Sequence, residues 1–136
     1  YREAVRLLRP DGVVLVNVAD GPPMRFARAQ AATLAAALRP ESRGRSGTEA
    51  GGEVVALAEA QVLKGRRFGN VVLVGSPTRV PSDWLPRLLA AGPHPARVVA
   101  GDELATWTLG ASITTDADAT ASPEPGRGVF RVGGGS

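Results

Sequence analysis

Arg66-Arg67-Phe68-Gly69-Asn70-Val71-Val72-Leu73-Val74-Gly75-Ser76 is the stretch whose reading decides the fold of this chain. Two arginines lead into a Gly-Asn pair, four aliphatic residues follow without a break, and Gly75-Ser76-Pro77 forms the exit. A continuous β-branched run between turn residues reads as a strand buried on both faces. Just upstream, Val54-Val55-Ala56-Leu57-Ala58 is a second such run, joined to the first through Lys64-Gly65-Arg66. The two read as a pair of central strands turning at Gly65.

Working outward, Tyr1 to Arg9 reads as the end of a helix, with Tyr1, Val5 and Leu8 on one face. Pro10-Asp11-Gly12 stops it, and Val13-Val14-Leu15-Val16 follows at once as a buried strand. Helix, short turn and all-aliphatic strand form half of a βαβ unit, so a parallel sheet is expected. A helix opening at residue 1 without a cap suggests a boundary that cuts through an element. Met24 to Leu38 is an Ala-rich helix whose stripe of Met24, Ala27, Ala31, Leu34, Ala35 and Leu38 lets it lie close on a sheet.

Between strand and helix stands Asn17-Val18-Ala19-Asp20-Gly21-Pro22-Pro23. In open α/β sheets, ligands bind in the crevice beyond the carboxyl ends of strands, which singles out Asn17 and Asp20. The competing reading of the same residues is an Asx turn with a helix cap. Residues 40–52 read as a solvated loop, and Ser82 or Asp83 as the cap of a short helix carrying Trp84, Leu85, Leu88 and Leu89. Arg97-Val98-Val99 reads as a short strand and Asp102 to Leu109 as a short helix containing Trp107. Residues 123–136 read as a disordered Pro/Gly-rich tail, in which Val129 to Val132 could pair at a sheet edge.

At 136 residues the chain has the length of one domain. It contains no apolar run long enough to span a membrane and no visible leader, so a cytoplasmic location is expected. The absence of cysteine excludes disulfides and thiolate chemistry. The net charge of +3 comes from 15 Arg and one Lys against 13 acidic residues. They are scattered along the chain rather than clustered with aromatics, which argues against nucleic-acid binding. No G-x-G-x-x-G follows a strand and no P-loop is present. His94, the one histidine, lies between two prolines and has no catalytic neighbour in sequence. Asp116 and Asp118 could hold a hard cation, but they also suit an ordinary surface turn, and no metal is expected.

Three ordered blocks resemble the spermidine synthase-like family. Residues 1–18 look like its helix and fifth strand, and Gly65 to Val74 like its passage from strand six to strand seven. Leu109-Gly110-Ala111-Ser112 through Thr115-Asp116-Ala117-Asp118-Ala119 resembles its closing segment, from which Ala117 and Thr120 depart. The resemblance implies an α/β fold: the C-terminal half of a Rossmann-like methyltransferase-type sheet, with strands five, six and seven plus flanking helices. Strand seven would run antiparallel and slot between the other two. Residues 1–122 would form this half-domain and 123–136 the tail.

The implied activity is aminopropyl transfer from decarboxylated S-adenosylmethionine, as co-substrate of the complete domain, to a polyamine such as putrescine. Asn17, Ala19 and Asp20 would border the amine pocket. The family's glycine loop, ribose-binding acid and proton-accepting pair all precede strand five, so no catalytic or cofactor-binding residue is expected in this chain, and no turnover by it alone. On this reading Arg66, Arg67, Gly69 and Asn70 are scaffold, with the arginines at the edge away from the nucleotide. The alternatives are a non-catalytic Rossmann-like binding or assembly module, or part of another S-adenosylmethionine-dependent methyltransferase. An exposed strand edge where strand four would pair also predicts self-association.

Overall fold

The structure, a computed structural model, describes residues 1–39, 51–91 and 96–126. Its elements in chain order are α1 (Arg2–Arg6), β1 (Val14–Asp20), α2 (Arg25–Ala37), β2 (Glu53–Glu59), α3 (Ala60–Leu63), β3 (Gly69–Ser76), α4 (Trp84–Ala91), β4 (Ala96–Ala100) and α5 (Gly101–Trp107). The expected edge strand at Val129–Val132, His94 and most of the expected loop at 40–52 lie outside the described residues.

The four strands form one sheet in the order β1-β3-β2-β4. β3 is antiparallel to β1, with Val14 opposite Gly75 and Asp20 opposite Gly69. It is also antiparallel to β2, with Val55 opposite Val74. β1 and β2 therefore run the same way, linked through α2 as in a βαβ unit, with β3 inserted between them. The sheet expected from the helix-turn-strand pattern was parallel, yet every ladder among the described residues is antiparallel. The inserted strand is the reason: it separates the two co-directional strands, so they never pair directly. The seven-residue β1 and eight-residue β3 zip over their whole length.

Two details differ from the expectation. The turn between β2 and β3 holds the one-turn helix α3 before the chain reverses at Gly65, whose φ of +65° suits glycine. β4 adds a fourth strand on the outer edge of β2, with Val55 opposite Ala100 and Leu57 opposite Val98. Arg97-Val98-Val99 reads as a strand from its β-branched residues, but its neighbour in the sheet depends on pairing with Ala56 to Ala58, far away in sequence.

The main core lies between α2 and one face of the sheet. Ala27, Ala31 and Leu34 on α2, Leu38 just after its end, and Ala56, Val71 and Leu73 on the strands have no exposed surface. The alternation of a strand sends Val71 and Leu73 to this face and Val72 and Val74 to the other. Val55, Val74 and Val80 form a smaller core on the second face. Gly69 is required by close approach, because a Cβ there would stand 2.5 Å from Val62 Cγ2. That agrees with the reading of Gly69 as scaffold.

The remaining ties fasten the ends to this frame. Tyr1 donates its hydroxyl to Gln30 Oε1 at 2.6 Å, and burial pushes its phenol pKa up. Trp107 donates its indole N–H to the Leu63 carbonyl at 3.2 Å, joining α5 to α3. Thr33 accepts from the Thr114 amide at 2.8 Å, which holds the irregular closing segment against α2. No helix among the described residues is long and apolar enough to cross a membrane.

Candidate functional site

The carboxyl end of β1 is where the strand run yields to polar residues, and the chain turns there through a cis Pro22-Pro23 bond and Met24 into α2. Met24 is buried and adopts a left-handed conformation (φ 64°), with its amide donating to the Gly21 carbonyl at 2.7 Å. Such a residue offers no side-chain cap to the helix that follows.

Asp20 supplies the cap instead. Its side chain is 3% exposed; Oδ1 accepts from the Gly21 amide and Oδ2 from the Ala27 amide, each at 2.8 Å. Ala27 is the third residue of α2, so its N–H is one of the amides that the helix cannot satisfy itself. A carboxylate at a helix N-terminus also meets the positive end of the helix dipole. Both oxygens of Asp20 are thus engaged by backbone donors, which is the capping reading of this residue.

The three residues expected to border an amine pocket do not converge. Strand alternation points Asn17 and Ala19 to one face of the sheet and Asp20 to the other. Asp20 lines a cleft of about 610 Å3 together with Phe26, Phe68 and Glu124. Asn17 lines a separate cleft of about 380 Å3 with Leu57, Glu59, Arg67 and Asn70. The Ala19 carbonyl accepts a hydrogen bond from the Ser122 hydroxyl, so the closing segment crosses the end of β1.

Because β3 is antiparallel, its start lies beside the carboxyl end of β1 rather than at the far end of the sheet. Phe68 consequently lines both clefts, and Arg67 lines the same cleft as Asn17 and pairs there with Glu59 at 3.1 Å. The sequence reading treated this turn as remote scaffold. Its proximity follows from the register Asp20 opposite Gly69, which no local pattern encodes. Phe26, Thr120 and Glu124 were also missed, because the cleft wall they form joins segments about a hundred residues apart.

The Asp116–Asp118 turn has a local partner for one of its carboxylates. Asp118 Oδ1 accepts from the Thr115 hydroxyl at 2.7 Å and from the Thr115 amide, which hold its carboxyl below the usual range. Among the described residues no group of three or more His, Cys, Asp or Glu side chains is placed to hold a metal.

No protein-family model matches the chain, and no curated protein does. A solved structure does: the crystal structure of a probable spermidine synthase from Corynebacterium glutamicum ATCC 13032. The two are 26% identical, superpose with a TM-score of 0.63, and the match covers 90% of this chain. This chain spans 42% of the length of that one. The inserted antiparallel β3 and the match over 90% of its length together give the chain a spermidine synthase-like fold.

Proposed function

We propose that this chain is the carboxyl-terminal half of a spermidine synthase-like transferase domain, located in the cytoplasm. The observation that carries this reading is the match of nine-tenths of the chain to two-fifths of a probable spermidine synthase. In aminopropyl transfer a neutral amine nitrogen attacks the methylene carbon beside the sulfonium of decarboxylated S-adenosylmethionine. The C–N bond forms, the C–S bond breaks, methylthioadenosine leaves, and the amine proton passes to a base. A protein promotes this by holding both cations in line and offering carboxylates to the amine.

This half supplies the wall at the end of β1 rather than the base. Asp20 anchors the start of α2, and through it the position of Phe26 in the cleft. Asn17 presents an exposed carboxamide on the opposite face of the sheet, and the Ala19 carbonyl holds the closing segment. The co-substrate and the proton acceptor belong to the other half of the domain.

The test is turnover. The 136-residue chain, incubated with decarboxylated S-adenosylmethionine and putrescine, should release no methylthioadenosine by mass spectrometry. The chain joined to a preceding half should release it. Turnover by the short chain alone would sink the half-domain reading. A second reading, a non-catalytic module of the same shape, is favoured by the engagement of both Asp20 oxygens in capping. Inactivity of the joined protein, folded by circular dichroism, would decide for that module.

A further inference from the structure

We infer that the groove between the first turns of α2 and residues 110–120 is a binding site for a small phosphomonoester. It measures about 480 Å3, the size of a small-molecule site. Arg25 and Arg28 line it from the helix, and Ser112, Thr114 and Thr120 from the closing segment. No carboxylate is among its lining residues. The i, i+3 spacing puts the two arginines on one helix face.

The two arginines differ in their engagement. Arg28 donates through Nε to the Trp107 carbonyl and through Nη2 to the Leu109 carbonyl at 3.1 Å. Its guanidinium is thereby held in place with N–H donors to spare. Arg25 is exposed and makes no side-chain hydrogen bond or ion pair among the described residues. Asp20 and Glu124 line the adjoining cleft, and neither pairs with it there. The hydroxyls of Ser112, Thr114 and Thr120 likewise have no protein partner among the described residues. A fixed guanidinium, an unpaired one and three hydroxyls without a partner among the described residues are a donor set without an acceptor.

A polyamine would meet two cations in this groove and no carboxylate among its lining residues. A phosphomonoester brings close to two negative charges and three strong acceptor oxygens, the complement of forked guanidinium donors. Its organic part would rest on Phe26, Ala29 and Ala111. The inference does not require the transferase reading: the groove shares Arg25, Phe26 and Thr120 with the cleft at the end of β1 but uses none of Asn17, Ala19 and Asp20.

The experiment is a titration of the 136-residue chain with phenyl phosphate, inorganic phosphate, benzoate and putrescine, followed by amide NMR shifts. Phenyl phosphate should saturate the shifts of Gly110, Ala111 and Ser112. Benzoate should bind about tenfold more weakly, and inorganic phosphate more weakly than its phenyl ester, as loss of charge and of apolar contact dictate. Arg25→Gln, a change at an exposed side chain with no hydrogen bond or ion pair among the described residues, should weaken phenyl phosphate about tenfold. Thr120→Val should weaken it severalfold, and Arg97→Gln, outside the groove, should leave it unchanged. Non-saturating shifts, unchanged affinity in Arg25→Gln, benzoate as tight as phenyl phosphate, or putrescine shifting the same amides would each overturn the inference.

Discussion

Replacing Asp20 separates its structural role from any part in binding. Asp20→Ala removes both acceptors at once and leaves the Gly21 and Ala27 amides without partners. Loss of a helix cap costs about 0.5–2 kcal/mol. An unsatisfied buried donor costs about 1–3 kcal/mol, and Ala27 has no exposed surface. Allowing for overlap between these two costs, Asp20→Ala should destabilise the fold by about 2–4 kcal/mol, a large share of the about 5–15 kcal/mol typical of a domain.

Asp20→Asn keeps the shape and one acceptor but turns an amide N–H toward a backbone N–H and loses the charge at the helix end. It should cost about 1–2 kcal/mol. Urea unfolding followed by far-ultraviolet circular dichroism reads both. With a slope of about 1–3 kcal/mol per molar urea, Asp20→Ala should lower the midpoint by about 0.7–4 M. A stability within about 0.5 kcal/mol of the parent would refute the capping account and return Asp20 to the ligand-contacting residues.

Gly69→Ala should destabilise by about 1–3 kcal/mol through overpacking against Val62. The double variant with Val62→Ala should recover part of that cost, and strict additivity in the unfolding cycle would show that the two do not meet. Lowering the pH should weaken two surface contacts. The hydrogen bond and charge of Arg6 hold the Glu3 carboxyl below its ordinary 4.5, and Thr115 holds Asp118 below its ordinary 3.8. Since both folded-state values are depressed, the contributions are complete above those ordinary values and fade as pH falls through the lower, folded-state ones. In a carboxyl-carbon NMR titration, Arg6→Ala should return Glu3 to its ordinary range, and an unmoved titration would deny the pair. The outer edge of β1 has no strand partner among the described residues, and Leu15 beside it is 65% exposed. The isolated chain should therefore self-associate at micromolar concentration, and a clean monomer by light scattering would exclude it.

Much of the architecture is legible without coordinates, because it is written in short-range periodicity. The aliphatic runs at 13–16, 54–58 and 71–74 mark strands because they suit a pleated, packed surface, although 13–16 is not the strand buried on both faces that its sequence suggests: β1 is an edge strand and leaves Leu15 65% exposed. The Ala-rich stripe from Met24 to Leu38 marks a helix that packs closely on them, and Ala27, Ala31 and Leu34 are indeed buried on the sheet. The order of the strands was legible only through resemblance. Periodicity says that β3 is buried and nothing about which neighbours bury it.

Tertiary structure decided what the polar residues do. Asp20 in a post-strand turn suits a ligand and a cap equally well, and its assignment needed the Ala27 amide at 2.8 Å. Asn17 and Asp20 are three positions apart in sequence, yet pleating sends them to opposite faces and different clefts. The stretch from Arg66 to Ser76 determined by itself that a strand exists there, because burial of an apolar run is a local demand. That its first residues stand beside the end of β1, and that Arg25 faces Ser112 and Thr120 across a groove, are consequences of register and chain return. Those depend on contacts summed over the whole sheet, and no window of sequence contains them.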